Sequence, residues 1–209
     1  MSVLHYHCVS PQLLEIIKKV CSNNSFGHFR LCGGTALALQ TGHRISVDAD
    51  FVSEKSFDSN ELIAIINQEF NNVTDVHTGT HGVFLKINTI KVDFLTWNIP
   101  FINPPVTIDG LILLDAVEII AMKLFAILQR GEKKDYMDVA SLLSKFSLEE
   151  MVSFYSQRHK GSDAMLILKY LSSYSDIENQ PEPKMLNGIT WITSKVKLGE
   201  AVKKMLSEL

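Results

Sequence analysis

Cysteine, net charge and long apolar runs are all scarce in this chain, and each scarcity closes off a class of protein. The three cysteines, Cys8, Cys21 and Cys32, are odd in number and lack metal-ligand spacing. Reduced, buried thiols are therefore expected in place of a disulfide framework or a zinc site. His5-x-His7 beside Cys8 suggests a metal, but no second ligand pair follows, and a strand or a disordered terminus is the other reading. The formal charge of −3 argues against a broad electrostatic surface for nucleic acid. A local basic groove stays open, because Lys123, Arg130, Lys133 and Lys134 are clustered. No apolar run reaches membrane length, and the N-terminus has neither a charged leader-like segment nor a long apolar stretch. A cytoplasmic protein with no export signal and no membrane anchor is expected. There is no internal repeat, and 209 residues suffice for one large core or two small domains.

What is present begins at Leu31-Cys32-Gly33-Gly34-Thr35-Ala36-Leu37. His28 to Cys32 has the composition of a short strand, and Gly33-Gly34 allows a tight turn that brings backbone close to a ligand. Thr35 is placed to cap a helix of good helix formers that Gly42 stops. A helix start with free N–H groups beside two glycines suits a phosphate. Further on, Val47, Ala49 and Phe51 alternate with Asp48 and Asp50, so a strand here would carry both carboxylates on one face. Such a pair attracts a hard cation, and Mg²⁺ is commonly held by one or two carboxylates plus substrate phosphates. The same pattern also describes a half-buried strand with a solvated acidic face.

A third acid bears on that choice. Val83, Leu85 and Ile87 alternate, Asn88-Thr89 can turn, and Ile90, Val92 and Phe94 alternate again, with Lys91, Asp93 and Leu95 opposite. If that strand lies beside the Asp48/Asp50 strand, three carboxylates converge as a two-metal phosphoryl-transfer site requires. Asp93 alone is equally a solvated strand residue.

Downstream, Asp115 and Glu118 form a capping-box pattern before an apolar run with Lys123 at its centre. Lys123 and Arg130 share a helical face and would present two cations in line, able to neutralise charge on a triphosphate. The alternative is a lysine snorkelling from an amphipathic helix. Asp135 and Asp138 are neighbours on the next helix, where Asp135 can also cap the start.

The remaining pattern is that of an α+β chain. Ser10-Pro11 opens a first helix, Ser56 to Phe70 reads as another, and Val73 to Thr96 supplies a meander of short strands in a mixed sheet with helices on one side. Asn103-Pro104-Pro105 breaks the pattern, and Val106 to Ile108 adds a short strand. Beyond Leu111 the chain is expected to be mainly helical, at 115–130, 134–145, 148–158, 162–174 and 190–209, with a loop or hinge at 178–183.

The runs GGTALALQTGHRISVDADF, IKVDF and DAVEIIAMKLFAILQRGEKKDYMDV resemble the AbiEii/AbiGii toxin family of nucleotidyltransferases, a branch of the DNA polymerase beta superfamily, over roughly residues 28 to 145. The resemblance implies a polymerase beta-like domain at 1–110, followed by a mainly helical domain at 111–209 that brings Lys123 and the Asp135/Asp138 motif to the cleft. It implies nucleotide binding by Gly33, Gly34, Thr35, Arg44, Lys123 and Arg130. Metal, Mg²⁺ or Mn²⁺, falls to Asp48, Asp50 and Asp93, and catalysis to these acids with Lys123, Asp135 and Asp138. Arg44 is placed either to grip triphosphate oxygens or to form a surface salt bridge, and His43 is placed beside it or packed in a loop. Lys134 stands where the family usually has arginine, which keeps the charge but loses the planar fork, and Ala49 stands for a bulkier aliphatic residue. Neither change removes a metal ligand. The implied activity is transfer of a nucleoside monophosphate from an NTP to an acceptor hydroxyl, with pyrophosphate release. RNA, including tRNA, is the acceptor suggested by analogy, within a type IV toxin–antitoxin or abortive-infection system that has a cognate antitoxin. Alternatives are a small-molecule or protein acceptor, or a nucleotide-binding regulatory module without catalysis.

Overall fold

A computed structural model describes residues 3–208. They form two compact units, one running up to Gly42 and resuming over Ser46–Asp115, the other comprising His43–Ile45 and the chain from Ala116 onward.

The first unit is built on a seven-stranded mixed sheet. Its strands are β1 (Arg30–Cys32), β2 (Ala49–Ser53), β3 (Val73–Gly79), β4 (Gly82–Ile87), β5 (Ile90–Thr96), β6 (Val106–Ile108) and β7 (Leu111–Leu113), in the order β3-β4-β5-β2-β1-β7-β6. β2 is parallel to β5 and β1 is parallel to β7, while the other neighbouring pairs are antiparallel. Helices α1 (Pro11–Ser22), α2 (Gly33–Thr41) and α3 (Ser59–Glu69) complete the unit.

Local chemistry explains these elements. Ser10 Oγ accepts from the Leu13 N–H at 3.1 Å and Pro11 occupies the first turn, so α1 begins where the sequence places it. It buries Leu13, Ile16, Ile17 and Val20. Asp58 caps α3 through the N–H groups of Asn60 and Glu61. α2 is buried on nearly all sides, and Gly42 ends it in the left-handed region (φ 71°), as expected. Alternation in β2 and β5 sends Phe51 and Phe94 into a core where their rings stack at 5.3 Å, with Phe26 and Phe29 also against Phe94. Around His5 and His7 the chain forms a 3₁₀ turn (Tyr6–Cys8), neither a strand nor a disordered terminus. Cys8 and Cys32 are buried and Cys21 is half-buried.

β7 is a strand at Leu111–Leu113, ahead of the first expected helix, where no strand was anticipated. It pairs with β6 across Asp109-Gly110, both at positive φ (51° and 79°). Asp-Gly between apolar residues is a primed-turn hairpin signal, so the strand was legible in principle. The first unit accordingly extends to Asp115, past the expected boundary after residue 110.

The second unit contains α4 (Ala116–Gln129), α5 (Lys133–Leu142), α6 (Leu148–Arg158), α7 (Ala164–Leu171) and α8 (Trp191–Ser207). Ser147/Glu150 and Thr190/Thr193 form capping boxes that start α6 and α8. Residue 209, the expected end of the last helix, lies outside the described residues, as do residues 1 and 2 of the expected first domain. At the start of α4, Asp115 accepts from Asn103 (3.0 Å), and Glu118 is buried against Arg158 of α6 (2.9 Å). Among the described residues, no helix is long and apolar enough to cross a membrane.

Candidate nucleotide and metal site

In the first unit the sheet brings the acidic residues together. The parallel register of β2 and β5 pairs Asp50 with Asp93, so these side chains leave neighbouring strands on one face. Asp48 sits just before β2, outside the regular strand, and Val47 is exposed, so the expected alternation holds only from Ala49 onward. Among the described residues, no three His, Cys, Asp or Glu side chains form a ready-made metal cluster. The convergent triad is therefore, in this structure, an adjacent pair with Asp48 preceding it in sequence.

Lys91 supplies a cation at this pair. Its Nζ lies 2.7 Å from Asp93 Oδ2. Burial pushes the Lys91 pKa down, but the nearby charges of Asp93, Asp50 and Asp48 outweigh it and leave the pKa raised. Sequence reasoning had assigned no role to Lys91, although strand alternation already put it on the Asp93 face. The other oxygen, Asp93 Oδ1, is buried without a hydrogen-bond partner. An orphaned carboxylate oxygen beside a second carboxylate fits a hard divalent cation, which completes its shell with water and phosphate oxygens.

The glycine turn abuts the same carboxylates. Gly33 is at φ +64°, and a Cβ built there would lie 2.6 Å from Asp50 Oδ2. Only glycine lets the backbone come this close to the carboxylate. Thr35 does not cap α2, contrary to expectation. Cys32 holds the N-cap position without a side-chain capping bond. Thr35 is buried, and its Oγ1 bonds to Ser46 Oγ (2.8 Å) and to the Asp48 carbonyl. It thus ties α2 to the backbone leading into β2.

The second unit contains the remaining candidates. Ile45 N–H donates to the Lys184 carbonyl (2.9 Å), Leu186 N–H donates to the His43 carbonyl (2.8 Å), and Arg44 bridges to Met185. This stitching holds His43 and Arg44 beside α5. Arg44 is buried and grips Asp138 with two guanidinium nitrogens, Nε at 2.7 Å and Nη2 at 3.1 Å, while His43 Nε2 lies 2.8 Å from Asp138 Oδ1. Arg44 is thus neither a surface salt bridge nor an open triphosphate fork. Lys123 Nζ contacts Asp135 (2.8 Å) and Asp138 (2.7 Å), and Arg130 Nε contacts Asp135 Oδ2 (3.1 Å).

These contacts set the charge states. Burial alone would neutralise both acids, yet Lys123 with Arg44 holds Asp138 well below the usual carboxylate range, and Lys123 with Arg130 holds Asp135 below it. Burial opposes the charge of Lys123 as well, and the two carboxylates push its pKa up to about 12. Asp135, with its carboxylate held in this network, does not cap α5, whose N-cap is Glu132. The four clustered cations do not form a basic groove. Lys123 and Arg130 pair with acids, Lys133 donates to the Glu178 carbonyl (2.8 Å), and Lys134 pairs with Glu132 (3.0 Å). Arg130, half exposed, is the member of the Asp135/Asp138 network most open to solvent.

Comparison with known proteins follows the same lines. The family model described as nucleotidyl transferase AbiEii toxin, type IV TA system, matches residues 21–188. An uncharacterised protein of Aquifex aeolicus (strain VF5) is 31% identical over 172 residues, covering 79% of this chain and 83% of that protein. JHP933 from Helicobacter pylori is similar in structure, with a TM-score of 0.55, 21% identity and 96% of both chains covered. MenT4, a nucleotidyltransferase toxin from Mycobacterium tuberculosis H37Rv, gives a TM-score of 0.64 at 14% identity, covering 95% of this chain and 84% of that one. At these identities the two structural likenesses are likenesses of fold.

Proposed function

The chain belongs to the AbiEii family of nucleotidyltransferase toxins of type IV toxin–antitoxin systems, and from that premise we propose that it transfers a nucleoside monophosphate from an NTP to an acceptor hydroxyl with release of pyrophosphate. The observation that carries this reading is the register pairing of Asp50 with Asp93 beside Gly33, with Asp93 Oδ1 left unpartnered.

Asp50 and Asp93, with Asp48, would hold Mg²⁺ or Mn²⁺, which supplies charge neutralisation of phosphate oxygens when bound. The Gly33-Gly34 turn at the start of α2 offers backbone N–H groups to the phosphates. Lys91 orients Asp93 through its 2.7 Å contact. Asp93 in turn aligns the acceptor hydroxyl. Little covalent chemistry is asked of the protein, so positioning and electrostatic stabilisation carry the rate. Arg130 is the cation of its network most open to solvent, while Lys123, Arg44 and His43 hold Asp135 and Asp138 in place. The acceptor on this reading is RNA, including tRNA, in the cytoplasm, and a cognate antitoxin restrains the resulting growth arrest.

The test is incubation of purified protein with Mg²⁺, each radiolabelled NTP and total bacterial RNA, beside Asp48→Ala and Asp50→Asn. Label on a discrete RNA band, lost in both variants, is the expected result. Label that persists undiminished in both variants would refute the assignment of the carboxylates. No label in the wild type, with metal-dependent NTP binding intact, would redirect the acceptor to a protein or small molecule, or the function to regulation.

A further inference from the structure

The row of paired residues does not stop at Asp93. On β4, Phe84 is the register partner of Asp93, and on β3, His77 is the partner of Phe84. Asp50, Asp93, Phe84 and His77 therefore succeed one another across four strands on one face of the sheet. Adjacent strands lie about 4.8 Å apart, so an aromatic surface starts one strand spacing from the carboxylate pair.

Its residues do not belong to the core. Val83, Leu85, Val92 and Phe94 fill the opposite face and are buried, whereas Phe84 is half-buried and His77 is exposed. The two rings stack, with centroids 5.2 Å apart and planes 14° from parallel. A β-bulge sets this up. Thr74 pairs with Lys86 and His77 with Phe84, so Asp75 and Val76 together oppose Leu85, with Asp75 at φ 52°. The extra residue shifts the alternation by one and turns His77 to the Phe84 side. Gly79 leaves the ring edge clear, since a Cβ there would stand 3.2 Å from Phe84. Lys86 and Lys91, register partners of each other, lie on the same face, paired with Asp75 (2.8 Å) and Asp93 (2.7 Å).

We propose that His77 and Phe84 form a stacking platform for a nucleobase next to the carboxylates. Flat aromatic faces beside lysines are how proteins hold unpaired bases without reading their sequence. The base comes either from the single-stranded end of an RNA acceptor or from the NTP. The proposal rests on the nucleotidyl-transfer reading for its biological setting, but its test reads binding and not turnover.

The probes are a fluorescein-labelled single-stranded 12-nucleotide RNA of mixed sequence, followed by anisotropy, and each Mg²⁺–NTP, followed by calorimetry. The variants are Phe84→Leu, which keeps apolar bulk without a π face, His77→Ala and Phe84→Trp, each checked for an unchanged melting temperature. Loss of a stacked base corresponds to a rise in Kd of roughly five- to a hundred-fold. Weaker RNA binding in Phe84→Leu and His77→Ala, restored in Phe84→Trp, with NTP binding unchanged, places the acceptor base on the platform. The same pattern in NTP binding alone places the incoming base there. Folded variants that bind both probes as the wild type does would overturn the proposal, as would a wild type that binds neither. Failure of label transfer with these binding effects intact would overturn the reaction and leave the platform standing.

Discussion

Asp50 on β2 and Asp93 on β5 are direct register partners across a parallel strand pair, although they are far apart in sequence. Like charges placed opposite each other destabilise a sheet; Lys91 pairs with one oxygen of Asp93, and the other oxygen has no hydrogen-bond partner.

A divalent cation is therefore expected to stabilise the fold. Mn²⁺ or Mg²⁺ at about 100 times its Kd contributes roughly 2.7 kcal/mol to the folded state. Differential scanning fluorimetry should show a metal-dependent rise in melting temperature that Asp50→Asn abolishes. A wild type indifferent to both metals would count against Asp50 and Asp93 as ligands.

Gly33→Ala is expected to cripple transfer while leaving the protein folded. The new Cβ would meet Asp50 Oδ2 at 2.6 Å and force the carboxylate aside, and the left-handed backbone adds about 1–2 kcal/mol of strain. Label transfer falling at least tenfold, with the circular dichroism spectrum retained, is the expected outcome. Wild-type turnover would mean that the position of Asp50 is unimportant.

In the second unit, Asp138→Asn should be costly. It removes the charge that balances Lys123 and Arg44 in a buried setting, and breaking a buried pair in this way costs about 3–5 kcal/mol. Lys134→Ala, which breaks an exposed pair with Glu132, should stay within about 1 kcal/mol. Urea denaturation of both variants provides the comparison, and equal costs would contradict the burial argument.

The same network predicts an acid limb of stability. Asp135 and Asp138 have folded-state pKa values below the ordinary 3.8. Their contribution is complete above that value and is lost as pH falls through the depressed folded values. Lys123 behaves oppositely. Its pKa is raised from 10.5 to about 12, so its contribution holds below 10.5 and is lost as pH rises through about 12. Urea midpoints at pH 6, 4 and 3 should fall more steeply in the wild type than in Asp138→Asn. Parallel slopes would show that Asp138 is not the group being titrated.

Thr89→Gly should stabilise the first unit. Asn88 and Thr89 turn β4 into β5 with φ of 49° and 73°, and a β-branched residue is strained in that region. Asn-Gly is the preferred pair for such a turn, and a gain of about 1 kcal/mol in chemical denaturation is expected. A loss would show that the flexibility glycine adds to the unfolded chain outweighs the relief of strain.

Much of this was legible because it is local. The capping chemistry at Ser10, the stop at Gly42, the turn at Asn88-Thr89 and the alternation through Asp93 each involve residues within a few positions of one another. α6 begins and ends at the residues anticipated for it, Leu148 and Arg158. β7 was missed although Asp109-Gly110 announced it, because an apolar run of three residues is as consistent with a helix as with a strand. Thr35 was misassigned for a different reason. Its sequence position suits a cap, but its actual partners, Ser46 and the Asp48 carbonyl, are reached only after the chain has folded back.

The sequence by itself determined which residues carry charge or conformational freedom and which elements form, since hydrophobic period, caps and turn residues act over a few positions. Tertiary structure alone decided which of those charges meet. Strand order and register made neighbours of Asp50, Asp93, Phe84 and His77, and the pairing of 43–45 with 184–186 delivered Arg44 and His43 to Asp138. Such meetings depend on pairings between distant segments, which sequence period does not encode, and a single extra residue in β3 was enough to decide which face His77 occupies.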